Sequence, residues 1–268
     1  IHPGGGQPPT VMAFRRALEL DEPAAIRIHV SADERYLLYV DGERRGRGPE
    51  RGDRLNWFFE SYDLVLDPGL HTVVVQVWVL GEDAPLAQIS VHPGLIVACE
   101  DPRWNALLGT GVAPWEVKQL GGYEPFENPI GFGVGCNFSL DGAGFDWGYE
   151  RGAGEVWVEA VEGPEGLSAG SFGRHGQHGM IDEHRLRPAL LPAMREEPWM
   201  RGRVRHVEDR GPEGLWMPRA EVDLAAEHGI WDALLHDGSS LTVPAHTARR
   251  VLIDLEDYVC AYPRLICS

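Results

Sequence analysis

One Gly/Arg-rich stretch gathers the side chains best suited to chemistry on a ligand: Arg47, Arg51, Asp53, Asn56 and Trp57. Sugar recognition combines planar bidentate donors, acceptors for hydroxyls and an aromatic face against the ring, and these residues supply all three kinds. A structural reading competes with it, in which Asp53 pairs with Arg51 or caps a turn while Trp57 packs inside.

Other constellations are weaker. Paired carboxylates hydrolyse glycosides across a gap of roughly 6.5–9.5 Å when one protonates the leaving oxygen and the other activates water. Glu124, Glu127, Asp141 and Asp146 are the acids to inspect, but with 41 acidic residues some pair satisfies any spacing rule. Gly166-Leu167-Ser168-Ala169-Gly170 matches a nucleophile elbow in letters only, since Glu162 to Glu165 precede it where a buried strand is required. His175, His178 and His184 lie near Asp182 and Glu183, yet Gly173, Gly176 and Gly179 oppose the helix that would bring imidazoles together. Gly131-Phe132-Gly133-Val134-Gly135 lacks the Lys and Ser/Thr of a phosphate loop. Cys99, Cys136, Cys260 and Cys267 show no CxxC pairing and read mostly as small buried apolar residues. No catalytic residue and no metal ligand is assigned.

The elements that must position these groups are strands. With 33 Gly and 20 Pro in 268 residues, the chain is rich in turns and short of long helices. Apolar residues alternate at Ile26, Ile28 and Val30 and again at Val73, Val75 and Val77, the period of a half-buried strand. Strands are expected at 11–20, 25–31, 35–40, 57–64, 71–80, 87–91 and 95–100, with a further pair around a loop at 101–115. The turn signals Asp21-Glu22-Pro23, Asp41-Gly42 and Asp67-Pro68-Gly69 fall between them. From 121 to 154 the periodicity fades while Gly, aromatic and acidic residues accumulate, as in a functional or packed insertion. A strand at 155–161, a proline-rich exit at 187–198, strands at 215–224, 240–243 and 248–255, and one short helix at 224–235 complete the reading. The nine Trp residues are expected mostly in the core, so exposed ones would be informative.

A formal charge of −17 opposes broad attraction to nucleic acid or an anionic membrane and favours a neutral ligand. No apolar run reaches the roughly 20 residues that cross a bilayer, so the chain reads as soluble, cytoplasmic or secreted.

Several segments resemble the N-terminal region of bacterial α-L-rhamnosidases. They are Phe14-Arg15-Arg16, Ser31-Ala32-Asp33 with Tyr36 and Tyr39-Val40-Asp41-Gly42, Arg47-Gly48-Pro49 with Arg51-Gly52-Asp53, Tyr62-Asp63-Leu64, and Val75-Gln76-Val77-Trp78. Arg187-Pro188 with Pro192, Met194 and Pro198 is similar to the exit from that family's galactose-binding-like jelly roll. Val251 to Leu265 is similar to the start of its next β domain. The resemblance implies an all-β chain: a galactose-binding-like jelly roll over 1–205, with an irregular insertion at about 121–184, followed by a partial second β-sandwich at 206–268, expected to be truncated.

In that family the hydrolytic carboxylates sit in an (α/α)6 barrel, and no helical hairpin repeat appears in this sequence. The resemblance therefore implies a non-catalytic portion of a rhamnosidase-like glycoside hydrolase. It supports a catalytic domain expected outside this chain and contacts rhamnosylated glycan. No cofactor is expected; calcium is left open, because some related domains bind rhamnose through it. The alternatives are a free-standing lectin-like carbohydrate-binding protein and an enzyme complete in this chain.

Overall fold

Apolar alternation becomes strand throughout the first eighty residues. In order these are β1 (Thr10–Leu20), β2 (Ala24–Ala32), β3 (Arg35–Val40), β4 (Glu43–Gly48), β5 (Trp57–Leu66) and β6 (Gly69–Val79), followed by β7 (Leu95–Cys99). The computed structural model describes residues 7–53, 56–85, 93–126, 135–163, 167–168, 185–198, 202–209 and 222–261. The strand expected at 87–91 lies outside them, as do His175, His178, His184, Gly166 and most of the Gly131 to Gly135 run.

The remaining elements are the helix α1 (Pro102–Leu108), β8 (Glu116–Gln119), β9 (Tyr123–Phe126), β10 (Asn137–Leu140), β11 (Val158–Glu159), β12 (Leu167–Ser168), β13 (Arg185–Pro188) and β14 (Arg203–Asp209). The helix α2 (His228–Asp237) and β15 (Arg249–Asp254) follow. The chain divides into two compact units, Ile1–Pro192 and Ala193–Ser268.

The first unit is a β-sandwich. One sheet has six strands in the order β11-β8-β1-β6-β3-β4, and the other has five in the order β12-β13-β5-β2-β7. Their inner faces share one core: Phe14, Leu38, Val40, Val73, Val75 and Val77 from the first meet Ile26, Ile28, Val30, Leu64 and Val97 from the second. A polar tie crosses this core. Tyr36 on β3 and Tyr62 on β5 meet hydroxyl to hydroxyl at 3.0 Å. The Tyr36 hydroxyl also lies 3.2 Å from the Val30 carbonyl, and that of Tyr62 donates to the Arg47 carbonyl at 3.1 Å.

The segment at 101–115 differs from expectation. It forms α1, capped by Asp101, whose carboxylate accepts the Arg103 N–H at 2.8 Å, with Pro102 in the first turn. Trp104 and Leu108 on this helix join the core. Strand β11 is only two residues long, where 155–161 was expected. The proline-rich exit is more than a linker, because β13 runs parallel to β5 with Leu186 opposite Trp57.

The irregular segment forms an aromatic layer on the outer face of the six-stranded sheet. Tyr149 and Leu120 bury against Val11, Ala13 and Val74, with Tyr39, Tyr123, Phe138, Phe145 and Trp157 around them. Buried Gln76 organises the layer: its amide lies 3.2 Å from the Tyr123 hydroxyl, and its carbonyl accepts from Tyr149.

In the second unit, β14 and β15 pair antiparallel, with a register shift between Val204 and His206. Asp232 on α2 accepts the Val204 N–H at 2.9 Å. Residues 240–243 are not strand.

Candidate carbohydrate-binding site

The β3–β4 hairpin and its following loop carry the expected site. Asp41 and Gly42 both adopt positive φ, 54° and 83°, which two-residue hairpins need to match the twist of their strands. The Asp41 carboxylate accepts the Thr72 N–H at 2.8 Å and the His71 Nδ1–H at 2.7 Å, which ties the turn to β6.

The glycines of β4 are packing sites. A Cβ on Gly46 would lie 2.1 Å from Tyr62 Cε1, and one on Gly48 would lie 2.8 Å from Glu60 Cγ and from the Tyr36 hydroxyl. Strand β5 therefore lays its side chains across the inner face of β4. On the outer face the register sets Arg44 opposite Tyr39 and Arg47 opposite Leu37.

The predicted residues separate. Arg51 and Asp53 are exposed and Arg47 is half-buried on β4. Asn56 donates its side-chain amide to both Asp53 oxygens, at 2.8 and 3.0 Å, and the two residues exchange backbone hydrogen bonds at 3.1 Å. Trp57 turns inward: it is 5% exposed and its indole N–H points at the Asp33 carbonyl, 3.3 Å away. Its ring therefore offers no face to a sugar. Asp53 closes the turn with Asn56 rather than with Arg51.

The sequence reading did not single out Glu50. Its Oε2 accepts the N–H groups of Leu190 and Leu191 at 2.7 and 2.9 Å, clamping the exit segment beside the loop. The backbone N–H of Glu50 donates in turn to Glu60 at 3.0 Å, and burial followed by the Glu50 charge raises the Glu60 carboxyl against that bond. An acid in a Gly/Arg loop was the available signal, but its partners lie 140 and 141 residues away.

Two of the candidate acids, Asp141 and Asp146, have structural tasks. Asp146 sits 2.5 Å from the buried Lys118 ammonium and accepts the Gly121 N–H at 2.7 Å. Desolvation pushes its carboxyl up, but the Lys118 and Gly121 bonds outweigh this and hold it below the ordinary range. Asp141 accepts the Ala143 N–H at 3.0 Å, Glu124 is exposed on β9, and Glu127 lies outside the described residues. Among the described residues, no group of three His, Cys, Asp or Glu side chains is arranged to hold a metal ion.

Of the cysteines, Cys99 is buried and its thiol is pushed up to about 11 by that burial and by Asp101, so it stays a thiol. Cys136 is half-buried and Cys260 exposed, against the expectation of buried apolar roles. Among the described tryptophans, Trp147 is the exposed one at 69%, its indole N–H held by the Gly142 carbonyl at 2.8 Å.

Comparison with solved structures shows what this fold is similar to. A GH78 family rhamnosidase of Bacillus sp. GL1 matches at a TM-score of 0.54 and 26% identity, over 76% of this chain and 21% of that enzyme. The chain's fold is similar to that of part of this rhamnosidase. An α-L-rhamnosidase from Dictyoglumus thermophilum also matches, at a TM-score of 0.46 and 15% identity over the same shares of the two chains. The chain thus spans about a fifth of the length of these enzymes. No protein-family model and no curated protein matches it. Among the described residues, no helix is long and apolar enough to cross a membrane.

Proposed function

We propose that this chain is a non-catalytic β-sandwich portion of an α-L-rhamnosidase-like glycoside hydrolase. It supports a catalytic domain outside this chain and contacts rhamnosylated glycan through the polar surface of the β3–β4 hairpin and its loop. The observation that carries the reading is the match to the GH78 enzyme, which takes in 76% of this chain and 21% of that one. The carboxylates within this chain point the same way, since Asp141 and Asp146 are engaged in turn capping and an ion pair. With Trp57 buried, the glycan contact falls to Arg47, Arg51 and the Asp53–Asn56 pair.

The test uses the purified chain and an aryl α-L-rhamnoside. No turnover is expected. Turnover that is lost in Glu127→Gln or Asp141→Asn would place hydrolysis in this chain and end the accessory reading. Calorimetric titration with rhamnose, with and without calcium, measures the glycan contact. Binding that weakens in Arg47→Gln is expected, and no heat at millimolar sugar would leave the supporting role alone.

A further inference from the structure

Trp147 is held outward by a loop whose two flanks are fastened to the first unit. On one side Phe145 packs edge-to-face against Tyr123 and Tyr149, with ring centroids 5.7 and 5.9 Å apart. Asp146 is tied there to the Lys118 ammonium and the Gly121 N–H. On the other side Tyr149 is buried and donates to Gln76. The indole between these anchors is 69% exposed.

Its orientation is fixed as well. The indole N–H donates to the Gly142 carbonyl at 2.8 Å, and the backbone N–H of Trp147 donates to the Phe145 carbonyl at 2.9 Å. Phe145 meets the indole edge-to-face, centroids 4.8 Å apart and planes at 77°. Such a contact takes at most one face of the ring, so at this exposure the other is open to a ligand. The side chain spends its one donor inside the loop, which leaves an apolar, pre-oriented face for recognition.

The polar group beside this ring is an acceptor. Asp141 directly precedes the Gly142 that holds the indole, and its own N–H is anchored on the Gly122 carbonyl at 2.8 Å. Its Oδ1 accepts the Ala143 N–H at 3.0 Å. Oδ2 lies beside Gly144, where a Cβ would come within 3.2 Å of it, and accepts no hydrogen bond among the described residues. Gly142, Ala143 and Gly144 are exposed and carry nothing larger than a methyl group, so the loop does not crowd the site. A flat apolar face with a carboxylate close by complements a pyranose. The C–H groups of the sugar lie on the indole while its hydroxyls donate to the carboxylate.

Two other occupants fit less well. Within residues 140–152, Leu140 is the other large exposed apolar side chain, so the patch falls well short of the roughly 800 Å² per partner of a stable protein interface. An anionic sugar would meet Asp141 and a chain of formal charge −17. We infer that Trp147 and Asp141 form a stacking subsite for a neutral pyranose ring. It is separate from the β3–β4 hairpin contact proposed above and stands independently of it.

The experiment titrates the full chain with methyl α-L-rhamnopyranoside and methyl β-D-galactopyranoside. Galactitol, which has the hydroxyls without the ring, and methyl β-D-galactopyranosiduronate, which adds a charge, serve as controls. Binding is read by saturation transfer to the ligand C–H protons and by the indole N–H signal of Trp147, assigned by its loss in Trp147→Phe. A pyranoside is expected to shift that signal with a Kd of about 1–10 mM, and both controls to bind at least about fivefold more weakly. Trp147→Ala is expected to lower affinity by about tenfold or more, Asp141→Asn by about fivefold, while Trp147→Phe keeps a ring face and most of the binding. No shift by either pyranoside at about 50 mM, equal binding of either control, or full binding by Trp147→Ala would each overturn the inference. Unchanged affinity in Asp141→Asn would overturn the part given to the carboxylate. If Trp147→Ala melts early, the unaltered chain decides: an indole signal that stays still while a pyranoside binds overturns the inference. Binding that survives Trp147→Ala and is lost in Arg47→Gln would overturn it and leave the hairpin contact standing. The reverse pattern supports it and removes the hairpin contact.

Discussion

His71 faces acceptors with both ring nitrogens, the Asp41 carboxylate at 2.7 Å and the Asp67 carbonyl at 2.7 Å. Only the imidazolium donates from both, and the Asp41 bond followed by the Asp67 bond raises its pKa. A raised folded value means the stabilisation is complete below the unfolded pKa of about 6.5 and is lost as pH rises through the folded one. Thermal melts should therefore favour mildly acidic over alkaline buffer by up to about 1 kcal/mol, discounted for the exposed Asp41, and His71→Gln should flatten that slope. Gly46→Ala should destabilise by about 1–3 kcal/mol in urea titration, because Tyr62 must leave its place across β4. Trp57→Ala should cost about 3–5 kcal/mol by the same measurement, as expected for a core indole and not for a sugar platform. Lys118 and Asp146 are asymmetric partners, their side chains 6% and 27% exposed. Asp146→Asn strands a buried ammonium and should cost about 3–5 kcal/mol, while Lys118→Met leaves a carboxylate that water reaches and should cost less.

At the scale of elements, the clearest dependence is that of the segment following β13 on Glu50. Glu50→Gln weakens two charge-assisted bonds at an exposed site and should cost about 1 kcal/mol, read as roughly fivefold faster amide exchange at Leu190 and Leu191. The strands most legible in the sequence were those with a strict two-residue period, such as β2 and β6, whose inward residues meet the core on one face. Helix α1 was missed although Asp101 and Pro102 spell a cap and a first turn, because seven residues give too short an apolar pattern. Strand β14 was hidden for another reason: the register shift after Val204 breaks the alternation, and His206 and Glu208 occupy buried positions where apolar residues are expected. The parallel pairing of β13 on β5 joins residues far apart in sequence and leaves no local trace. The site was legible in part. Its arginines and the Asp53–Asn56 turn could be named from residue types, whereas the inward turn of Trp57 depends on which face β5 buries.

Taken whole, the first unit has two sheets around a continuous core, and residues 1–192 expressed alone should give a single cooperative melt. A broad, uncooperative transition would show that this unit needs the rest of the chain. The placement of β13 against β5 carries a consequence for synthesis. Strand β5 is finished by residue 66, but the neighbour that covers its free edge arrives with residues 185–188. On the ribosome, at about 5–20 residues per second, that edge stays open for several seconds or more, with Phe58 and Phe59 on the uncovered strand. A nascent chain that stalled before residue 185 would be open to strand exchange with its neighbours on the same message.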